Sequence, residues 1–214
     1  MKKEDRYNVS GLREAQFEPG SNEQVLRNRL GIKSPKEMDD TETRALEKAM
    51  VESVRQYDEK HRFTAADICK IHKLWLGEIY DWAGEYRQVN VSKGAFPFAA
   101  AARVPHLMVE FERNALTRYT PCNFKDHAVV THALAETHVE LVLIHPFREG
   151  NGRAARILSI LMALQAGLPL LIFSTIAEEK KQEYFAAVQA GLDKSYALME
   201  RLFAEIIERS LASS

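Results

Sequence analysis

The sequence predicts an all-α domain, a helical bundle that carries one β-hairpin. Two observations predict it. Helix-start signatures recur ahead of apolar residues spaced at the helical period. Only one segment alternates like a pair of short strands. With 214 residues, 46% of them hydrophobic, the chain can bury one sizeable core.

Residues 1–24 read as an N-terminal extension and 25–212 as the domain proper. In "SPKEMDDTETRALEKAM", Ser34 stands at an N-cap, Pro35 at the first helical position and Glu37 at the third. Proline costs nothing there because its missing N–H would have no helical partner. "TAADICKIHKLWLGEIYDWAG" repeats the device with Thr64 and Asp67. Ile68, Ile71, Leu74, Trp75 and Ile79 follow at helical spacing, with Gly84 as the expected stop. "EYRQVNVSKGAFPFAAA" reads as the hairpin, at about 88–98, with its turn near Lys93 and Gly94. A lone hairpin has a free edge, which a protein either blunts or uses to bind an extended partner. "NFKDHAVVTHALAETHVELVLI" opens the next helix from Asn123 and Asp126. "RAARILSILMALQAG" is a further helix, ending at Gly167. "AEEKKQEYFAAVQAG" and "DKSYALMERLFAEIIERSL" close the chain as amphipathic helices, with Asp193 capping the second.

Bulk properties bound the function. The formal net charge is -1 and 28% of residues are charged. That balance argues against a chain whose main task is gripping nucleic acid. The longest apolar stretch is broken by Gln165, Gly167 and Pro169, so no membrane span is expected. The N-terminus has no apolar signal core. Cys69 and Cys122 form no CxxC pair and no disulfide framework, which fits a cytoplasmic protein.

The chemistry concentrates in "IHPFREGNGRAAR". Gly150, Asn151 and Gly152 read as a loop running directly into a helix. Such a loop points successive N–H groups inward, and the helix adds its positive end, so the pair suits phosphate. Arg153 and Arg156 stand three apart in the first turn and share a face. Two guanidinium forks beside the loop suggest a polyphosphate. Glu149 beside phosphates suggests a bridging Mg2+, which is commonly held by one carboxylate plus substrate oxygens. His145 has the right chemistry to take a proton from an attacking hydroxyl. Phe147 is apolar and anchors the loop to the core. Singly, each residue has a plainer reading: a helix-end histidine, surface arginines, a glycine turn. Their joint occurrence within twelve residues favours a site.

Other motifs fit less well. "GNGRAA" matches a dinucleotide fingerprint, but without the βαβ context that fingerprint needs. No phosphate-binding loop ending in Gly-Lys-Ser/Thr is present. His132, His138 and His145 fit no zinc spacing, so His132 and His138 are read as structural or surface residues.

"HPFREGNGRAAR" matches the Fic motif, H-P-F-x-[D/E]-G-N-G-R-x-x-R, at every specified position. "NRLGIKSPKEMDDTETRALE" resembles the usual Fic lead-in, and "IHKLWLGEIYDWAGEYRQVNVSKGAFPFA" resembles the Fic helix and flap. The resemblance covers about 25–210 and implies a Fic fold. It implies an adenylyltransferase that moves AMP from ATP onto a Tyr, Thr or Ser hydroxyl of a target protein. His145 would then be the base and Glu149 the magnesium ligand. Gly150, Asn151, Gly152, Arg153 and Arg156 would bind the nucleotide phosphates. The flap, with Lys93, Gly94 and Phe96, would dock the target. Gly152 stands where a phosphate-transferring subgroup has lysine, which favours nucleotide transfer. A silent nucleotide-binding adaptor, or transfer of UMP, phosphocholine or phosphate, is the alternative. Tyr184 and Tyr196 are candidates for stacking on the adenine, or equally for core packing.

Many Fic proteins are restrained by a helix bearing [S/T]-x-x-x-E-[G/N], whose glutamate pairs with the second motif arginine, which would be Arg156 here. "TRALEK", with Thr43 and Glu47, and "STIAEE", with Ser174 and Glu178, each end in the wrong residue. The resemblance therefore points to a toxin held in check by a separate small antitoxin protein.

Overall fold

The computed structural model describes residues 11–174 and 180–213. Seven α-helices of eight residues or more organise them: α1 Pro35–Gln56, α2 Ala65–Leu76, α3 Val104–Phe111, α4 His127–Ile144, α5 Asn151–Gln165, α6 Lys181–Ala190 and α7 Ala197–Ala212. A π-helical turn, Glu112–Leu116, extends α3. The antiparallel hairpin pairs β1, Ser92–Lys93, with β2, Phe96–Pro97.

The helix starts follow side-chain chemistry at three of the expected places. The Ser34 hydroxyl accepts from Glu37 N–H at 3.4 Å, with Pro35 behind it. Thr64 and Asp67 form a complete reciprocal capping box. Asp126 accepts from Ala128 N–H at 2.8 Å and caps α4, so the helix begins after Asp126 and Asn123 lies outside it. Asp193 does not cap α7. It lies in a 3₁₀ turn, Gly191–Asp193, and Tyr196 takes the cap position without a side-chain bond. Nor does α2 reach Gly84. It ends at Leu76 with Gly77 as its C-cap. Ile79 and Tyr80 then fold back under the helix end, where both are buried. Gly84 has φ +83°, and a Cβ there would lie 2.7 Å from Lys73 Cβ. Glycine is needed at that turn, although the helix is already over.

The hairpin is shorter than the alternating pattern suggests. Only two residues pair on each side, Ser92 with Pro97 and Lys93 with Phe96. Its stems are held by a side chain instead. The fully buried Arg87 donates to the carbonyls of Val89 and Ala99, one on each stem.

From Val130 to Ile144 no residue of α4 is exposed, because neighbours cover every side, and its polar residues His132, Glu136 and Glu140 are paired. It packs on α5 and α7, burying Leu134, Val139 and Leu141 against Ala155, Leu158, Phe203 and Ile206. A second cluster joins α1, α2 and the chain before α1 through Val25, Ile32, Met38, Trp75, Leu76 and Trp82. The α4–α5 connection lies at the seam of the two clusters. Among the described residues no helix is long and apolar enough to cross a membrane. Cys122 is buried, Cys69 half-buried, and both are free thiols.

Candidate active site

The α4–α5 connection is fixed by its own sequence. His145 closes α4 in the left-handed region, φ 52°, and turns the chain out of the helix. Phe147 is fully buried and its ring stacks 3.8 Å from His72. Burying such a ring is worth about 2–3 kcal/mol. Gly150, φ +82°, lets the chain double back against Trp75, where a Cβ would meet the indole at 2.6 Å. Asn151 is the first residue of α5, so Gly152 belongs to the first helical turn rather than to the loop. The buried Asn151 amide accepts from Phe147 N–H and donates to Phe147 C=O, both at 2.8 Å. Its side chain thus closes the loop, and what it can lend to a ligand is its backbone N–H.

Histidine tautomers follow from these bonds. His72 Nδ1 accepts from Gly84 N–H, so Nε2 carries the proton and donates to Glu149 C=O at 3.1 Å. Burial holds His72 down to about 4, so it is neutral near pH 7. His145 Nδ1 faces Val142 C=O at 3.1 Å. A carbonyl can only accept, so Nδ1 carries the proton and Nε2 is left as a free lone pair. Burial, then nearby Arg87 and Lys93, lowers His145 to about 4 against a bond to Val142 that raises it. The ring is a neutral acceptor at physiological pH.

The sequence candidates meet around two adjoining cavities of about 390 Å³ each. The polar one is lined by His145, Glu149, Gly150, Asn151, Gly152, Arg153, Arg156 and Lys93. The apolar one is lined by Gly94 and Phe96 of the flap and by Phe185, Val188 and Gln189 of α6. Lys93, Phe98, Val142 and Phe185 border both. Lys93 Nζ stands 4.1 Å from the Phe185 ring centroid, and partial burial lowers its pKa. Tyr184 lines the polar cavity, but its hydroxyl is committed to His138 at 2.9 Å. Tyr196 donates to Glu140 and lines a different cavity, beside α3. Of the aromatic rings on the last two helices, the one that lines the apolar cavity is Phe185, the neighbour of Tyr184.

His138 sits in the core as a relay of complete bonds. Tyr184 O–H donates to Nε2, Nδ1 faces the Ser159 hydroxyl, and Ser159 donates to Ala155 C=O. His132 lies between Glu136 and Glu200 on the far side of α4. Neither borders the polar cavity.

One residue escaped the sequence reading. Glu42, buried on α1, accepts from Arg153 Nη2 at 2.7 Å and from the Tyr80 hydroxyl at 2.7 Å. Arg153 also lies over Trp75, 4.7 Å from its ring. The first motif arginine is therefore held on its edge and its face, while Arg156 has no carboxylate partner among the described residues. Glu42 is not the glutamate of "TRALEK": that candidate, Glu47, is exposed on α1 and forms no ion pair with either motif arginine among the described residues. The other candidate, Glu178 of "STIAEE", lies outside the described residues. A charged residue one helical turn past the buried Met38 was the only local signal for Glu42.

Glu149 points outward at the cavity rim, with one carboxylate oxygen accepting from Gly150 N–H at 2.9 Å. Among the described residues no three His, Cys, Asp or Glu side chains converge as metal ligands. A hard cation here would need most of its oxygens from a ligand, the pattern favoured by magnesium on phosphates.

Residues 62–163 match the Fic/DOC family. The chain is 30% identical over 203 residues to the "Probable protein adenylyltransferase Fic" of Salmonella typhimurium, covering 89% of this chain and 92% of that one. The chain belongs to the Fic/DOC family. A second relative of the same printed name, from Escherichia coli strain K12, is 28% identical across 87% of this chain and 89% of its own. The fold agrees with the Bartonella tribocorum BepC protein, whose crystal structure has AMPPNP bound. The TM-score is 0.72 at 22% identity, over 92% of this chain and 97% of that one. In this Fic/DOC chain the family-matched region takes in α2, the flap and the motif loop. Glu42 lies outside it.

Proposed function

We propose that this Fic/DOC protein is a protein adenylyltransferase, transferring AMP from ATP to a hydroxyl of a target protein. The observation that carries the proposal is the neutral His145, with Nε2 free, at one end of a cavity whose other end is glycine, helix N-terminus and two arginines. The relatives' printed names and the AMPPNP in BepC support the same reading.

The adjoining cavities divide the nucleotide by chemistry. The polar cavity takes the phosphates, and the apolar one, with the Phe185 ring and the Gln189 amide, takes the adenine. The N–H groups at the start of α5 and the positive end of that helix face the oxygens where charge develops. Arg153, pre-set by Glu42 and Trp75, and Arg156 hold the β- and γ-phosphates. The target hydroxyl attacks the α-phosphorus. Its oxygen forms the new P–O bond, the bond to the β-phosphate oxygen breaks, and pyrophosphate leaves. His145 Nε2 receives the hydroxyl proton. Glu149 would hold Mg2+, whose charge would offset that of the leaving group. The flap edge at Ser92–Lys93 docks the target in extended form, with Lys93, Gly94 and Phe96 around its turn.

Arg156, which lies over the Phe173 ring and has no carboxylate partner among the described residues, would be occupied by a carboxylate of a separate antitoxin in a cytoplasmic toxin–antitoxin role. α-labelled ATP, magnesium and a cell lysate test the proposal. Label appears on a protein band with wild type and is absent with His145→Ala. ATP binding without transfer would instead make the chain a nucleotide-binding adaptor.

A further inference from the structure

The hydrogen bond from His145 Nδ1 to Val142 fixes the imidazole at one atom. A ring held at one atom can still tilt about that contact, and tilting would swing Nε2 away from an incoming hydroxyl. The plane of the ring is set by something else. The Phe98 ring lies parallel to the imidazole, 3.6 Å between centroids and 16° between planes. Phe96 meets Phe98 edge-on at 5.4 Å, and Phe98 N–H donates to Val91 C=O across the hairpin. Beneath the pair, Arg87 donates to His145 C=O at 2.6 Å and to the carbonyl of Ala99, next to Phe98. One buried guanidinium therefore ties the two backbones together, and the stack ties the two side chains.

We propose that Phe98 is the positioning residue for the base, and that through it the flap and His145 move as one unit. The proposal rests on His145 being the base. It gives the flap a task besides docking: a target strand that settles on the hairpin also settles the ring that aims Nε2. Phe98 covers one face of the imidazole and keeps water from it. The charged groups facing the ring are Arg87 beneath and Lys93 on the flap, with Arg148, Glu149, Arg153 and Arg156 lining the same cavity.

The test uses the full chain, α-labelled ATP and lysate protein as acceptor. Initial rates are taken at saturating ATP, with the ATP concentration giving half that rate, across pH 4–8. Phe98→Ala is expected to lower the saturating rate by roughly 10- to 100-fold, as misplacement of a reacting group by about 1 Å does. Its acid limb should rise toward 6.5 as water reaches the imidazole. Phe98→Tyr should restore most of the rate and the original limb. Phe98→Leu keeps bulk without a flat face, should resemble Phe98→Ala, and carries the test if the alanine variant does not fold. An unchanged saturating rate in the folded alanine or leucine variant would overturn the proposal. So would a loss confined to the half-saturating ATP concentration with the acid limb unmoved, because Phe98 would then merely wall the nucleotide cavity. Full transfer by His145→Ala would refute the base assignment separately, whatever Phe98 does.

Discussion

The motif loop and the flap face each other across one cavity, yet they are built on opposite principles. The loop is pinned residue by residue: Phe147 in the core, Asn151 bonded twice to Phe147, Gly150 against Trp75, Glu149 C=O on His72. The flap has two paired residues per strand and exposed tips at Lys93 and Gly94. Its stems are anchored by Arg87 and by Glu14, whose carboxylate accepts from Gln88 and Val89 N–H, while the tip touches the body only through Lys93 over the Phe185 ring among the described contacts. Phosphoryl chemistry needs donors preset to the oxygens they stabilise, and a rigid loop supplies that. A surface that receives an extended chain needs open backbone and freedom to adjust, which a short edge supplies. The contrast predicts that damage to the loop acts on chemistry and stability together, whereas damage to the flap tip acts on target affinity.

The largest expected effect is on the base. His145→Ala should lower label transfer by about 10²–10⁴, and loss of the Phe98 stack and the Val142 bond should lower the melting temperature as well. Gly150→Ala comes next. It adds strain of about 1–3 kcal/mol from its φ, plus a clash with Trp75, so both transfer and the melting temperature should fall. Equal stability of that variant would show the loop to be less rigid than its contacts imply.

Glu42→Gln sharpens the comparison from outside the motif. It removes the charge that aims Arg153, and losing a charge-assisted bond of about 1.5–3 kcal/mol should weaken ATP binding by roughly ten- to a hundred-fold. Calorimetric titration with ATP reads this directly. Unchanged affinity would mean that Arg153 needs no tether. Lys93→Ala should be the mildest, raising the target concentration for half-maximal rate a few-fold with the saturating rate nearly kept. A loss in the saturating rate instead would place Lys93 in the chemistry.

The buried histidines add a pH signature to the rigid side. His72 and His138 are held down by burial, to about 4 and about 3. In the unfolded chain both bind protons near 6.5, so below that pH the unfolded state takes up protons that the folded state does not. Stability is therefore full above about 6.5 and falls as pH drops toward 4. Thermal melts from pH 7 to 4 should show the decline, and His138→Gln should flatten part of it.

The helix caps at Ser34, Thr64 and Asp126 were legible because a cap is local chemistry over three or four residues. The twelve-residue motif was legible for the same reason: the phosphate site proposed for it is made by consecutive backbone groups and one helical turn. Asp193 and Gly84 misled because each is also an ordinary turn residue, and only the packing of Ile79, Tyr80 and Tyr196 decides which helix, if any, it ends. The hairpin pattern overstated the strands because Val89 alternates toward the core, not toward a partner strand.

By itself, then, the sequence determined the helical bundle, the family motif and the residues proposed to hold phosphate and take a proton. Tertiary structure alone decided that Glu42 on α1 meets Arg153, that Phe185 rather than Tyr196 faces the apolar cavity, and that Phe98 lies flat on His145. Each of those pairs joins side chains far apart in the chain, through two cores that meet at the α4–α5 seam. Spacing along a sequence reports neighbours on one helix or strand, and carries no record of which elements the burial of apolar surface will bring face to face.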